Sequence, residues 1–271
     1  MHISLIITTY NWKEALHLSL KSALAQKHLP LEIIVADDGS SPDTAQVVSD
    51  LAATAPIDVI HSWQEDRGFR LARSRNKAIA RARGDYIVLI DGDILLEKHF
   101  IQDHQRFARP GFFVQGGRVL LTPHLSRRVL TDQRLPNLFC GLGVENKKNC
   151  IRSTLLANLF SFQSKRIQGI KTCNFAFWKH DAIAINGFNE DFRGWGREDS
   201  EFTVRLMNNG IRRHNIRFNA LAYHLHHPPS DRKRLQTNDA ILQETITRKV
   251  CWCQNGLDKH LEQTAGSMPS R

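Results

Sequence analysis

The chain has 271 residues, 41% of them hydrophobic, and a formal net charge of +10 at pH 7. Length and apolar content suit one large domain, or one domain with a long insertion, and exclude wholesale disorder. The longest apolar runs, ISLIITTY, LEIIVA and DYIVLI, are far too short to span a bilayer.

In chain order, ISLIITTY reads as a buried strand and WKEALHLSLKSALAQ as an amphipathic helix. LEIIVADDGS is a strand running into a turn. SPDTAQVVSDLAAT opens with Ser-Pro at the N-cap and first-turn positions of a helix. IDVIHSW is a third strand, RLARSRNKAIARARGD a helix ended by Gly84, and YIVLIDGD a fourth strand. Near-continuous apolar strands alternating with helices predict a parallel sheet covered on both faces, hence an α/β fold. Ligands of such sheets bind beyond the carboxyl ends of the strands. That rule singles out Thr8, Thr9, Tyr10, Asn11, Asp37, Asp38, Asp91 and Asp93.

Residues 121–170 lose this rhythm and read as a basic, loop-like insertion or lid. Order returns with IKTCNFAFWKHDAIAINGF, then the loop and helix of GWGREDSEF, then LAYHLHHPPSD. NDAILQETITRKVCWCQ reads as a last helix before a polar tail.

The charge is concentrated. Thr122 to Lys171 holds nine Lys/Arg against Asp132 and Glu145. A basic surface attracts an anion: a phosphorylated substrate, anionic lipid headgroups or nucleic acid. With no zinc finger, RNP signature or basic heptad array, nucleic acid is set aside. The five cysteines are scattered, and the CWC spacing is not that of a zinc knuckle. They read as free thiols in a reducing compartment. The chain opens directly on a strand with no signal-peptide pattern, so the expectation is a cytoplasmic protein.

Four constellations carry chemistry. In Asp91-Gly92-Asp93, the glycine permits a tight turn that lets both carboxylates face one ligand, and carboxylate oxygens beside a phosphorylated substrate suit Mg²⁺ or Mn²⁺. The plainer reading is a polar turn. Asp38 can accept hydrogen bonds from a base or a ribose hydroxyl, or cap the helix after GSSP, and Asp37 and Asp38 can divide those roles. Arg75 shares a helix stripe with Leu71, Ala78 and Ala82, so it needs an anionic partner, such as a diphosphate or a sheet-end carboxylate, or a route to water. In YHLHHPP, one neutral imidazole among His224, His226 and His227 could complete an aspartate-bound divalent ion, or the three could mark a solvated strand end.

In GWGREDSEF, Glu198 and Asp199 begin a helix, where the dipole favours carboxylates. Capping explains one acid but not Trp195 held between Gly194 and Gly196. An indole platform for a sugar face beside a carboxylate able to take a hydroxyl proton suggests a carbohydrate acceptor site.

Together SLIITTYN, EIIVADDGSSPDT, ARSRNKAI, DYIVLIDGD and NGFNEDFRGWGREDSE resemble the family 2 glycosyltransferases of the GT-A fold. The last block is similar to the galactosyltransferase-like motif of β-1,4-galactosyltransferases, bacterial chondroitin-type polymerases and core-oligosaccharide transferases. The resemblance implies a GT-A (Rossmann-like), mostly parallel sheet flanked by helices. Its glycosyltransferase domain would span 1–228. Residues 1–120 would bind the nucleotide sugar, 121–170 would form a basic insertion, and 171–228 would form the acceptor and catalytic half. A C-terminal helix and tail would follow over 229–271.

The resemblance also implies site roles. Thr8, Tyr10 and Asp38 would hold the uracil or ribose of a UDP-sugar, and Arg75 would approach that donor. Asp91 would touch the ribose or donor sugar, and Asn174 would lie near the sugar. Asp93 and His224 would ligate a divalent Mn²⁺ or Mg²⁺. Trp195 and Glu198 would contact donor and acceptor sugars, with Asp199 as the base. Arg197 departs from the small residue usual there. The implied reaction is inverting transfer of a hexose or N-acetylhexosamine to a glycan or glycolipid acceptor. Surface-polysaccharide or lipopolysaccharide-core synthesis is the implied setting, with the basic stretch at an anionic membrane surface. A nucleotidyltransferase would carry a Gly-rich basic loop after the first strand, which TTYNWKEA lacks. A non-catalytic sugar-binding module would need neither Asp93 nor Asp199.

Overall fold

The computed structural model describes residues 1–134, 143–228 and 231–265. The strands and helices of the first third fall where the alternation places them. They are β1 (Ile3–Thr9), α1 (Lys13–Leu24), β2 (Glu32–Asp37), α2 (Pro42–Ala52), β3 (Asp58–Trp63), α3 (Leu71–Arg81) and β4 (Tyr86–Asp91). Then come β5 (Ile94–Leu96), α4 (Phe100–Phe107), β6 (Phe112–Gln115), β7 (Val119–Leu120), α5 (Pro123–Asp132), α6 (Thr154–Phe160) and β8 (Phe162–Ser164). The remainder is β9 (Phe175–Trp178), α7 (Lys179–Ala184), α8 (Glu198–Asn208), β10 (Arg212–Asn215), β11 (Ala222–His224), α9 (Leu235–Thr247) and α10 (Asp258–Ala265).

The central sheet runs β3-β2-β1-β4-β9-β6-β10-β8. β3, β2, β1 and β4 are mutually parallel, β9 runs antiparallel between β4 and β6, and β10 lies parallel to β6 with β8 antiparallel at the edge. The expected mostly parallel, helix-flanked sheet is therefore present. Successive side chains of a strand point to opposite faces, and the core divides accordingly. Leu5, Ile7, Ile33, Val35, Val88 and Ile90 meet Leu16 and Leu20 of α1 and Phe100 of α4. Ile6, Ile34, Ile87 and Leu89 meet Ala78 and Ile79 of α3 and Phe202 and Leu206 of α8. A second sheet, β5-β11-β7, crosses the carboxyl end of β4 and packs its Leu95, Val119 and Tyr223 on Leu18 of α1 and Val129 of α5.

Residues 121–170 do more than interrupt the fold. They supply the edge strand β8 and the helices α5 and α6. The last predicted helix begins earlier and ends earlier than its sequence pattern: α9 stops at Thr247, and VCWCQ is not helical. The tail expected to be polar holds α10, and the buried Leu257 just before it joins the cluster with Ala78 and Ile79 of α3. Cys150, Cys173, Cys251 and Cys253 are free thiols, while Cys140 lies outside the described residues. No helix among the described residues is long and apolar enough to cross a membrane.

Candidate active site

A cavity of about 1070 Å³ opens beyond the carboxyl ends of β1, β2 and β4. Ten of the residues given site roles above line it: Thr8, Tyr10, Asp38, Arg75, Asp91, Asp93, Trp195, Glu198, Asp199 and His224, whereas Asn174, and the sheet-end residues Asn11 and Asp37, do not.

The floor is the turn between β4 and β5. A Cβ at Gly92 would lie 2.7 Å from the Thr8 carbonyl oxygen, so only glycine lets this turn press against the end of β1. Thr8 Oγ1 then donates to Asp91 Oδ1 at 3.1 Å. On the β2 side, Asp37 closes its own turn by accepting from the amides of Gly39 and Ser40 at 3.1 and 2.8 Å. Asp38 instead accepts from Gln64 Nε2 at 2.6 Å and from the Arg70 amide at 2.7 Å. It is buried in the cavity wall, and that burial raises its pKa. Tyr10 is half exposed, with its hydroxyl donating to Asp66 Oδ2 at 2.9 Å.

Asp93 follows that turn. The antiparallel pairing of β11 with β5 sets His224 opposite Ile94, beside it. His224 Nε2 and His227 Nε2 lie 3.5 and 3.2 Å from Asp93 Oδ2, and the three side chains offer ligand atoms within 4.8 Å of one another. His226 stands apart, its amide donating to Ser126 Oγ at 2.8 Å. His227 Nδ1 donates to the Pro228 carbonyl at 2.7 Å, which orients the ring with Nε2 toward Asp93. Burial, with the Arg118 charge nearby, pushes His224 down to about 3, so its ring is neutral. Asp93 Oδ1 is buried with no partner, and burial next to Asp91 pushes the carboxyl up to about 8. An orphaned carboxyl oxygen beside two imidazole nitrogens fits a divalent cation. The mixed oxygen and nitrogen donors suit Mn²⁺ better than Mg²⁺.

The opposite wall is the start of α8. Gly194 and Gly196 have φ of +73° and +103°, and Arg197 follows at +79° as the N-cap. Two glycines make that loop affordable, whereas Arg197 is a bulky residue in the left-handed region. It is secured by an ion pair with Asp239 of α9, while Asn238 donates to the Gly196 carbonyl at 2.8 Å. Trp195 projects half exposed into the cavity, with the Arg232 guanidinium 5.2 Å from its ring centre. Further along α8, Phe202 stacks on Phe188 at 4.1 Å between ring centres, and Arg205 pairs with Glu201 in the core. These contacts fix the helix, and with it the acids of its first turn.

Arg75 binds the two halves of the site. It is fully buried, and its partners are carboxylates: Asp199 at 2.9 Å, Glu198 at 3.5 Å and Asp91 at 3.6 Å. Thr172 Oγ1 accepts from Arg75 Nη2 at 2.6 Å and donates to Asp199 Oδ1 at 3.0 Å, and its amide donates to Asp199 Oδ2 at 3.0 Å. Of the two partners the sequence left open for Arg75, the carboxylates are the ones present. Burial and the neighbouring Asp199 charge push Glu198 up to about 8. Two adjacent acids thus sit in different environments, one protonated near neutral pH and one held in an ion pair.

Asn174 is placed away from the cavity. Its Oδ1 pairs with His104 Nε2 at 2.9 Å, and its Nδ2 donates to the carbonyls of Gly117 and Ala220 at 2.7 and 2.8 Å. Both of its side-chain polar atoms are engaged inside the protein, and it does not line the cavity. Conversely, Arg118, Lys171 and Thr172 line the cavity without having been given site roles from the sequence, and His227, one of the three histidine candidates, lines it beside His224. The sequence reading also missed a wall formed by Leu235, Asp239, Leu242, Gln243 and Ile246 of α9. The helical spacing of that last set was visible in the sequence as one stripe.

A mixed α/β sheet with acids and histidines gathered beyond its carboxyl edge is the layout of a GT-A transferase. The chain belongs to glycosyl transferase family 2, whose model matches residues 4–155, and the N-terminal domain of galactosyltransferase matches residues 155–228. It is 25% identical over 246 residues to chondroitin synthase of Escherichia coli, covering 83% of this chain and 35% of that protein. It is 26% identical over 225 residues to hyaluronan synthase of Pasteurella multocida, covering 77% of this chain and 23% of that protein. The chain thus spans about a third or less of the length of these synthases. S. aureus TarS (residues 1-349) in complex with UDP-GlcNAc superposes with a TM-score of 0.63 at 19% identity, covering 98% of this chain and 72% of that one.

Proposed function

We propose that the chain is an inverting, metal-dependent hexosyltransferase. It would move a hexose or N-acetylhexosamine from a UDP-sugar to a glycan or glycolipid acceptor of a surface polysaccharide, such as lipopolysaccharide core. The observation that carries this reading is Asp199, fixed by Arg75 and Thr172 in the wall of the same cavity that holds Asp38, Asp91 and Asp93. The UDP and UDP-GlcNAc complexes of the TarS neighbour support the donor class, and the synthase relatives support a polysaccharide product.

In this reading Thr8, Tyr10 and Asp38 flank the nucleoside and Asp91 the ribose or sugar. Asp93, His224 and His227 would hold the divalent cation, which supplies charge compensation for the departing diphosphate. Arg75 is already engaged by carboxylates, so Arg118, Lys171 and Arg232 are the cavity cations available to face the phosphates. Trp195 offers its ring to a sugar. The acceptor hydroxyl attacks the anomeric carbon opposite the leaving UDP, the bond to UDP breaks, and the hydroxyl proton passes to Asp199. Glu198, holding its own proton, does not compete for that one.

Incubating the protein with a panel of UDP-sugars, Mn²⁺ and candidate acceptor glycans tests the reading. UDP release from one donor with an inverted anomeric product is expected. Neither UDP release nor UDP binding across the panel would overturn it.

A further inference from the structure

The face formed by α6, β8 and the turns beside them presents Ile151, Leu155, Leu159, Phe160 and Phe162 to solvent. Leu155 and Leu159 are 69% and 67% exposed, more than any other large apolar side chain among the described residues. They stand one helical turn apart on one side of α6, whose other side buries Ala157. Single exposed leucines are ordinary, but five large apolar side chains within one short stretch form a patch.

Cations surround that patch. The Arg217 guanidinium lies 5.1 Å from the Phe162 ring centre, and Arg106 donates to Asn158 Oδ1 of α6 at 3.1 Å. Lys147 and Lys148 precede the patch and Lys165 and Arg166 follow it, all exposed. Between 143 and 171 the sole acid is Glu145, which lines the cavity.

We propose that this face docks onto an anionic lipid surface. Its apolar side chains would enter the boundary between headgroups and acyl chains, and its lysines and arginines would hold the headgroups. The charge pattern selects this occupant over a second copy of the chain, because a two-fold interface would set the same cations against themselves. The placement also has a consequence for the cavity. Residues Ile167 to Cys173, which directly follow Lys165 and Arg166, form part of its wall, so a lipid-borne group would arrive beside it. The docking claim does not rest on the transfer reading.

Co-sedimentation with vesicles tests it. The protein is expected to pellet with phosphatidylcholine vesicles containing phosphatidylglycerol, to do so less at high salt, and to remain in solution with phosphatidylcholine alone. The variant Leu155→Ser/Leu159→Ser should bind about tenfold or more weakly, since it removes two inserting side chains. Its melting temperature should not change, because both positions are exposed. Lys165→Ser/Arg166→Ser should weaken binding roughly fivefold per residue. Absence of wild-type binding to the anionic vesicles, or equal binding by the leucine variant, would overturn the proposal. A lipid-free dimer that the leucine variant converts to a monomer would also overturn it, by assigning the face to a second copy.

Discussion

Arg75 of α3 and Asp199 of α8 meet at 2.9 Å although 124 residues separate them in the chain. This contact joins the half that carries the first strands to the half that carries the GWGREDSEF loop. It also fixes Asp199, because Arg75 is fully buried and Thr172 clamps the same carboxylate from the other side. A guanidinium among three acids is structural as well as electrostatic. Removing it leaves those acids in each other's field.

Arg75→Met should therefore destabilise the protein by about 3–5 kcal/mol, as expected when one partner of a buried charged cluster is deleted. Adding Asp199→Asn should restore part of that loss by removing the carboxylate that Arg75 pairs with most closely. Denaturant melts of the single and double variants check this. A single variant within about 1 kcal/mol of wild type would show that the cluster does not depend on the arginine.

The two histidines beside Asp93 make a distinction that can be measured without turnover. Mn²⁺ should raise the melting temperature of the wild-type protein, by about 2.7 kcal/mol of stability at a hundredfold excess over its dissociation constant. Asp93→Ala, His224→Ala and His227→Ala should each lose most of that rise, and His226→Ala should keep it. A full Mn²⁺ response in His227→Ala would remove it from the ligand set.

Trp195 faces the cavity from a loop held by α9. Trp195→Ala should weaken sugar-bearing substrates about tenfold, the scale of a lost aromatic contact, and leave UDP affinity within about twofold. Titrations with UDP and with the UDP-sugar separate the two. An equal loss for both would place the indole on the nucleotide.

His104 gives the fold a pH dependence of known sign. Asn174 Nδ2 donates to two carbonyls, so its Oδ1 must accept, and the proton lies on His104 Nε2. His104 Nδ1 is buried without a partner, and burial pushes the ring down to about 4. The unfolded histidine takes up a proton near its ordinary value of about 6.5, before the folded one does. Stability is therefore fully present above that value, falls as pH drops toward about 4, and levels off below. The loss is roughly 3 kcal/mol, at about 1.4 kcal/mol per pKa unit. Relative to wild type, His104→Leu should recover by that amount between pH 7 and pH 4 in denaturant melts. A constant difference would show that His104 protonates freely in the fold.

The first four strands and their helices were legible because each buried strand is a continuous apolar run and each helix carries its own periodicity. The sheet-end acids followed from topology alone. Short strands gave no such signal. β7 spans two residues and β11 three, and their partners lie about a hundred residues away in sequence. The pairing that brings His224 to Asp93 was therefore not readable from local pattern, and the sequence left open which of His224, His226 and His227 stands beside Asp93. Asn174 shows the converse problem. Its residue type fits a sugar site, but only the fold reveals that His104, Gly117 and Ala220 already use both of its donors and one of its lone pairs, away from the cavity. For Arg75, the apolar stripe showed that a partner was needed, and the second half of the chain provides it.

The most direct test of the account is the turnover and UDP affinity of Asp199→Asn. The substitution keeps the shape of the side chain but removes the proton acceptor. The account predicts that kcat falls by about 10²–10⁴-fold, the usual share of a general base. UDP affinity should stay near that of wild type, because Thr8, Tyr10, Asp38 and Asp91, the residues proposed to hold the nucleotide, lie at the ends of β1, β2 and β4 and not on α8. Undiminished turnover in this variant would contradict the account and remove Asp199 from the chemistry.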